Sequence, residues 1–220
     1  TINSQLQAKL DDKKFKIGQL DVKLPQTAAH ISLTGEGALT EEGPYFNFVN
    51  LGWQKLQWPL VGKKALVNSK TGTVNLNGTL QGYQVEVKTQ VAGEQIPPGN
   101  IKLSGYGDLE EFTLQSLQAD MLTGAVNADG KVRWKPALGA QVNLDVESIT
   151  IKQFWKDWPE KLRINSHLVA NLDDKYFQVQ QLHVELPQTK AQIALQADGS
   201  LLDDGPRFEN ATVAWQDVQW

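Results

Sequence analysis

Apolar and polar residues alternate with a period of two along most of the chain. The clearest runs are Leu20–Leu24, Val85–Lys88 and Gln141–Glu147. Successive side chains of a β-strand point to opposite faces, so a period of two is typical of a half-buried strand. The pattern therefore predicts a series of strands, each with one apolar and one polar face.

Short clusters of turn-forming residues separate these runs. They are Asp11-Asp12, Gly35–Gly37, Glu42–Pro44, Asn77-Gly78, Pro97–Asn100, Asp129-Gly130 and Asp203–Pro206. Strands that follow each other at such short spacing form hairpins, so we expect an antiparallel sheet. Only Gln153–Leu162 departs from the alternation, and there the sequence predicts one helical turn or an irregular corner.

The first part of the chain recurs at its end. Positions 1–58 align with positions 163–220 without a gap, and 29 of these 58 positions are identical. The sequence stops inside the second copy, so we expect more chain to follow. The repeat predicts that 1–220 is one continuous segment of a longer array, with repeat 1 at 1–162 and a partial repeat 2 at 163–220.

A shorter frame occurs three times in the chain. It reads Phe-x-φ-x-x-Leu-x-φ-x-φ, where φ is apolar, and it begins at Phe15, Phe112 and Phe177. An acidic pair lies just before each copy. Two interpretations stay open, plain gene duplication and an array of similar structural units.

The apolar face of the predicted strands needs a cover. A sandwich supplies a second sheet, whereas a curled sheet covers itself or leaves a trough. The alternating runs are compatible with both. The long period, the absence of predicted helices and the end in mid-repeat favour the second architecture. The predicted fold is all-β: an elongated, curled antiparallel sheet, or U-shaped trough, built from repeats.

Composition excludes several classes of protein. The net charge is −4, with 21 basic and 25 acidic residues, which argues against a nucleic-acid groove. The chain has no cysteine, which excludes disulfides and thiolate metal sites. No apolar run approaches the roughly 20 residues of a membrane-spanning helix.

Candidate catalytic groups are few. His30, His167 and His183 fall at polar positions of strand patterns, and none has a second histidine at ligand spacing, so we expect them to face solvent. The doublets Asp11-Asp12 and Asp173-Asp174 contain adjacent residues, whose side chains point to opposite faces of a strand. Hairpin turns are therefore favoured over a shared carboxylate site. We expect no enzyme activity, no metal and no cofactor.

Four of the seven tryptophans occupy equivalent places in the two copies, Trp53 with Trp215 and Trp58 with Trp220. A buried tryptophan contributes a large apolar area, so core packing is expected for Trp53 and Trp215. For the remaining tryptophans, core packing and a position at an amphipathic rim stay as alternatives.

Several motifs combine Gly, Trp and Pro with alternating apolar residues and together cover most of the chain. They are Trp53–Leu60, Gly72–Gly78, Tyr83 with Val85 and Val87, Ile96–Gly99, Gly130–Trp134 with Pro136, and Trp155–Pro159. These motifs resemble those of the TamB family, translocation and assembly module subunits related to the AsmA-like proteins.

The resemblance implies a periplasmic segment of a Gram-negative protein whose inner-membrane anchor lies outside this chain. It implies a curled sheet with an apolar trough, similar to bridge-like lipid transfer proteins, and phospholipid transport to the outer membrane. It also implies an outer-membrane barrel partner, TamA, in the assembly of outer-membrane proteins. It implies no catalytic residues.

In strands whose residues alternate between apolar and polar, the apolar side chains form rows on one face. We hypothesise that these rows hold phospholipid acyl chains. The alternative is a scaffold that assists outer-membrane protein assembly with a TamA-type barrel. A carbohydrate-acting enzyme is disfavoured because acids and aromatics do not cluster. The predicted lining, part of which is core, is Leu20, Val22, Leu24, Ile31, Leu33, Val85, Val87, Val142, Leu144, Val146, Leu182, Val184, Leu186, Ile193 and Leu195.

Overall fold

Fourteen β-strands account for most of the residues that the structure describes. The structure is a computed structural model. It describes residues 2–60, 64–94, 96–202 and 205–218. Trp220 and the predicted turn residues Asp203 and Asp204 lie outside these ranges. The strands fall into two compact units, Thr1–Leu109 and Glu110–Trp220.

The first unit is a meander of seven antiparallel strands, in which each strand pairs with the next along the chain. Hairpin connections enforce this order because a short turn returns the chain beside the strand it has just left. The strands are β1 (Asn3–Asp11), β2 (Lys14–Leu24), β3 (Ala29–Thr40), β4 (Gly43–Trp58), β5 (Val67–Thr79), β6 (Gly82–Gly93) and β7 (Gly99–Gly107).

The second unit is also a meander of seven antiparallel strands. Its longest connection is the irregular stretch between the third and fourth strands. The strands are β8 (Glu111–Met121), β9 (Gly124–Arg133), β10 (Gly139–Ile149), β11 (Ile164–Asp173), β12 (Tyr176–Leu186), β13 (Ala191–Leu202) and β14 (Gly205–Gln216).

The predicted all-β fold is confirmed. Every regular element in the described ranges is a strand, and every pairing recorded there is antiparallel. The meander of each unit is consistent with a curled sheet built from repeats. Within the same residues, no helix has the length and apolar character needed to cross a membrane.

The two sequence copies fold alike. β2 and β12 begin and end at equivalent positions of the two copies, and so do β3 and β13. The copies thus supply the first four strands of one unit and the last four of the other. The unit boundary after Leu109 falls within repeat 1, and the assignment of 1–220 to one continuous array stays a prediction.

The two-residue spacer of the recurring frame is a β-bulge in all three copies. The pairing register shifts between residues 17 and 20 in β2, between 114 and 117 in β8, and between 179 and 182 in β12. One extra residue at a bulge keeps the apolar residues before and after it on the same face. The recurring frame therefore corresponds to one structural element, a bulged strand, which occurs in both compact units of the chain.

The acidic doublets lie at hairpin turns, as predicted. Asp11 pairs with Lys14, and Asp12 begins the turn with a φ of 53°. Asp174 repeats this geometry with a φ of 52°. Aspartate tolerates left-handed backbone better than most residues, because its short polar side chain bonds locally. The sequence Asp-Asp is thus explained by the turn that it makes.

The irregular stretch is a corner of isolated turns, as the sequence predicts. Trp155 N–H donates to the carbonyl of Ile151 at 2.9 Å, and Leu162 N–H donates to the carbonyl of Pro159 at 3.0 Å. The indole N–H of Trp158 also donates to the carbonyl of Leu162. Pro159 has no N–H to continue a helix, so the turns stay separate.

The prediction of core packing is wrong for Trp215, and Trp53 is half-buried rather than fully buried. Trp53 is half-buried on β4, where its ring lies against Gly72 of the next strand. Trp215 lies on β14 with 70% of its surface exposed. β14 is the last strand among the described residues, and within them it pairs with β13 alone.

Candidate functional site

One row of apolar side chains crosses all seven strands of each unit. Its members are directly opposite each other on neighbouring strands and therefore lie on the same face. We call it the central row. In the first unit it consists of Leu6, Leu20, Leu33, Leu51, Val74, Val87 and Leu103. In the second unit it consists of Leu117, Ala128, Leu144, Leu168, Leu182, Leu195 and Val213.

The structure places all the predicted lining residues on the face that carries the central row. Those that belong to the row itself are Leu20, Leu33, Val87, Leu144, Leu182 and Leu195. The others lie an even number of positions from a member of the row, on the same strand, and so form the flanking rows of that face. They are Val22, Leu24, Ile31, Val85, Val142, Val146, Val184, Leu186 and Ile193.

The apolar face is only partly shielded from water. The members of the central row on interior strands are all half-buried. Leu24 is 7% exposed, whereas Ile193 is 41% exposed. None of the described residues combines a large side chain with an exposure below 2%. A closed sandwich core would contain several such side chains, so this face remains accessible.

Sequence reasoning missed other members of the face, including Leu51, Val74 and Leu168. Leu51 belongs to the alternating positions 49, 51 and 53, which were visible in the sequence. Alternation was therefore sufficient to assign Leu51 to this face, whereas its place in the central row depends on the register, which alternation does not give.

Aromatic rings cover glycines on this face. Phe15 lies opposite Gly37, and Trp53 lies opposite Gly72. In both pairs the ring occupies the space that a side chain on the glycine would need. Such pairing of a ring with a cross-strand glycine fills the gap that the missing side chain leaves.

A small polar cluster interrupts the apolar face in the first unit. The indole N–H of Trp53 donates to Ser69 Oγ at 2.7 Å, and Ser69 Oγ lies 2.8 Å from Thr89 Oγ1. Ser69 is 9% exposed, and these bonds satisfy its buried hydroxyl. The cluster joins β4, β5 and β6.

The opposite face carries polar and charged side chains. His30 Nε2 lies 2.8 Å from Asp21 Oδ1, and Gln19 also donates to Asp21. The hydrogen bond from His30 holds the pKa of Asp21 below its ordinary value, against the opposing effect of desolvation. Among the described residues, no three His, Asp or Glu side chains are grouped to hold a metal ion.

The fold and this face define a class of protein: an all-β repeat protein whose antiparallel strands sort apolar and polar side chains onto two faces. A family model described as "TamB, N-terminal domain" matches residues 30–216. The chain therefore belongs to the TamB family.

A relative supports this assignment. The chain is 28% identical over 184 residues to the "Translocation and assembly module subunit TamB" of Haemophilus influenzae. The alignment covers 76% of this chain and 14% of the relative, so the chain spans a small part of that protein's length. No solved structure matches the chain.

Proposed function

We propose that the apolar face carries phospholipid acyl chains between the inner and outer membranes, as a periplasmic segment of a longer envelope protein. The observation that supports this proposal is the central row, which is apolar at all seven positions in each unit and half-buried on the interior strands. The role is not catalytic, and the longer protein is anchored in the inner membrane outside this segment.

The dimensions of the central row suit an acyl chain. Neighbouring strands lie about 4.8 Å apart, so seven strands extend the row over about 29 Å. One leaflet of a bilayer contributes about 15 Å of hydrocarbon, half of the usual core thickness. Each methylene removed from water contributes about 0.8 kcal/mol. Because successive positions are alike, an acyl chain exchanges similar contacts as it moves along the row.

Photo-crosslinking tests this proposal with matched positions on the two faces. A photoreactive residue replaces Val22, Leu144 or Val184 on the apolar face of the full-length protein in cells. In control variants it replaces the sequence neighbours Lys23, Asn143 or Glu185, which point to the polar face. We expect phospholipid adducts at the first three positions and none at the controls.

The crosslinked products also distinguish lipid carriage from a scaffold that binds proteins. Protein adducts without lipid adducts at Val22, Leu144 and Val184 would contradict lipid carriage. Equal lipid adducts at apolar and polar positions would mean that contact is nonspecific, which would also contradict the proposal.

A charge on the apolar face gives a second test. Val146→Asp places a carboxylate beside the central row, and we expect it to abolish lipid adducts at Leu144. Gln141→Asp, on the polar face of the same strand, is the control and should leave them unchanged. Circular dichroism checks that both variants fold. Retained adducts in folded Val146→Asp protein would contradict the proposal, and unfolding would identify Val146 as core.

The second candidate is a scaffold for outer-membrane protein assembly with a TamA-type barrel. The observation that favours it is the name of the relative, which describes a translocation and assembly module subunit. A scaffold binds client proteins by strand addition. It predicts protein adducts from the crosslinking positions and unchanged phospholipid distribution in the Val146→Asp variant.

A further inference from the structure

Two histidines on neighbouring strands lie side by side on the polar face of the second unit. His167 on β11 is directly opposite His183 on β12. Asp145 on β10 is directly opposite His167 on its other side. Register partners share a face, so Asp145, His167 and His183 form one line across three strands.

We propose that His167 and His183 bind a divalent transition-metal ion intermediate between hard and soft, such as Cu²⁺ or Zn²⁺, with Asp145 as a positioning residue. Opposite residues of an antiparallel pair have Cα atoms about 4.5–5.5 Å apart. Two imidazoles at this separation can reach one ion with metal–nitrogen distances of about 2.0–2.1 Å. Solvent supplies the remaining ligands.

The carboxylate of Asp145 selects the histidine tautomer that this site requires. His167 Nδ1 lies 2.6 Å from Asp145 Oδ1. An ionised carboxylate only accepts hydrogen bonds, so Nδ1 carries the proton in this bond, and in the neutral imidazole Nε2 then holds the lone pair that a metal ion needs. Ligating histidines commonly donate their other ring nitrogen to a carboxylate in this way.

The surroundings leave room for a hydrated ion. A hollow of about 420 Å³ is lined by Asp145, Glu147, Asn165, His167 and His183, among others. The side chain of His167 is 39% exposed, and His183 is half-buried. Both histidines therefore border a space that solvent can enter.

The chain contains a matched control for this site. His30 and Asp21 also form an imidazole–carboxylate pair, at 2.8 Å. Lys23, rather than a second histidine, lies opposite His30. The first sequence copy carries Gln5 and Asp21 where the second carries His167 and His183. The proposed site is therefore specific to the second copy.

Titration of the whole chain with CuCl₂ and with ZnCl₂ tests the proposal. We expect one saturable site per chain, with tighter binding of Cu²⁺ than of Zn²⁺. The electron paramagnetic resonance spectrum of the Cu²⁺ form should show two nitrogen ligands. Asp145→Ala should weaken binding by about tenfold, the lower end of the effect of removing an outer-shell partner.

Substitution of each histidine separates this site from other sites. His167→Gln and His183→Gln should each abolish saturable binding, and His30→Gln should leave it unchanged. Circular dichroism verifies the fold, and the nitrogen count on the unsubstituted chain provides a measurement that needs no variant. Absence of saturable binding, a single nitrogen ligand, or loss of binding only in His30→Gln would overturn the proposal.

Discussion

The indole ring of Trp53 lies over Gly72, its direct partner on the next strand, and fills the space of a side chain there. Gly72→Ala should therefore displace the ring and break its bond to Ser69. Overpacking of this kind destabilises by about 1–3 kcal/mol. Urea unfolding measures the loss. Gly82→Ala is the control, because an added Cβ there meets no atom within 4 Å. Equal effects of the two substitutions would contradict this account.

The bulge in β2 predicts an asymmetry between two deletions. Deleting Gly18 leaves Ile17 and Leu20 two positions apart, so a regular strand keeps both on the apolar face. We expect a change of at most about 1 kcal/mol in the free energy of unfolding. Deleting Asp21 instead turns Val22 and Leu24 to the polar face, with a loss above about 3 kcal/mol.

Urea unfolding of both deletion variants checks this prediction. Asp21→Asn serves as the control for the loss of the carboxylate itself. Similar losses from the two deletions would show that the bulge is needed for folding and not only for register.

The lowered pKa of Asp21 predicts a pH dependence of stability. A carboxyl whose pKa is lower in the folded state stabilises the fold above its unfolded value, about 3.9. This contribution disappears as the pH falls through the folded value. We expect the stability difference between the unsubstituted chain and Asp21→Asn to shrink as the pH falls from about 5 to about 3. Since His30 is the main cause of the shift, His30→Gln should reduce this pH dependence.

Left-handed backbone at Ala28 predicts a stabilising substitution. Ala28 has a φ of 55°, and its repeat equivalent Lys190 has a φ of 62°. Glycine adopts this region without the penalty of about 1–2 kcal/mol that other residues incur. Glycine also gives the unfolded chain more conformational entropy, which offsets part of this benefit. Ala28→Gly should therefore raise the free energy of unfolding by about 0.5 kcal/mol.

Thermal unfolding measures this gain. Ala29→Gly is the matched control, because Ala29 is 2% exposed and its φ is not positive. Ala29→Gly should lower the free energy of unfolding by about 1 kcal/mol. A loss in both variants would contradict the strain argument.

The alternating pattern determined the faces of the sheet correctly. Leu20, Leu144 and Leu182 were assigned to the apolar face from their sequence neighbours alone, and the structure places them there. The predicted turns at Gly35–Gly37 and Asp129-Gly130 are wrong, because these residues lie inside β3 and β9. The turns at Asp12 and Asp174 followed from the residue types that tolerate them. These features depend on interactions between residues close in the sequence, which a local pattern records.

Only the tertiary structure decided which residues of different strands are neighbours. The bulges at residues 17–20 and 179–182 set the register that aligns the central row, and the pairing of β11 with β12 brings His167 opposite His183. A period of two carries no information about the register between strands. Sliding a strand by two residues preserves both faces but changes every cross-strand partner.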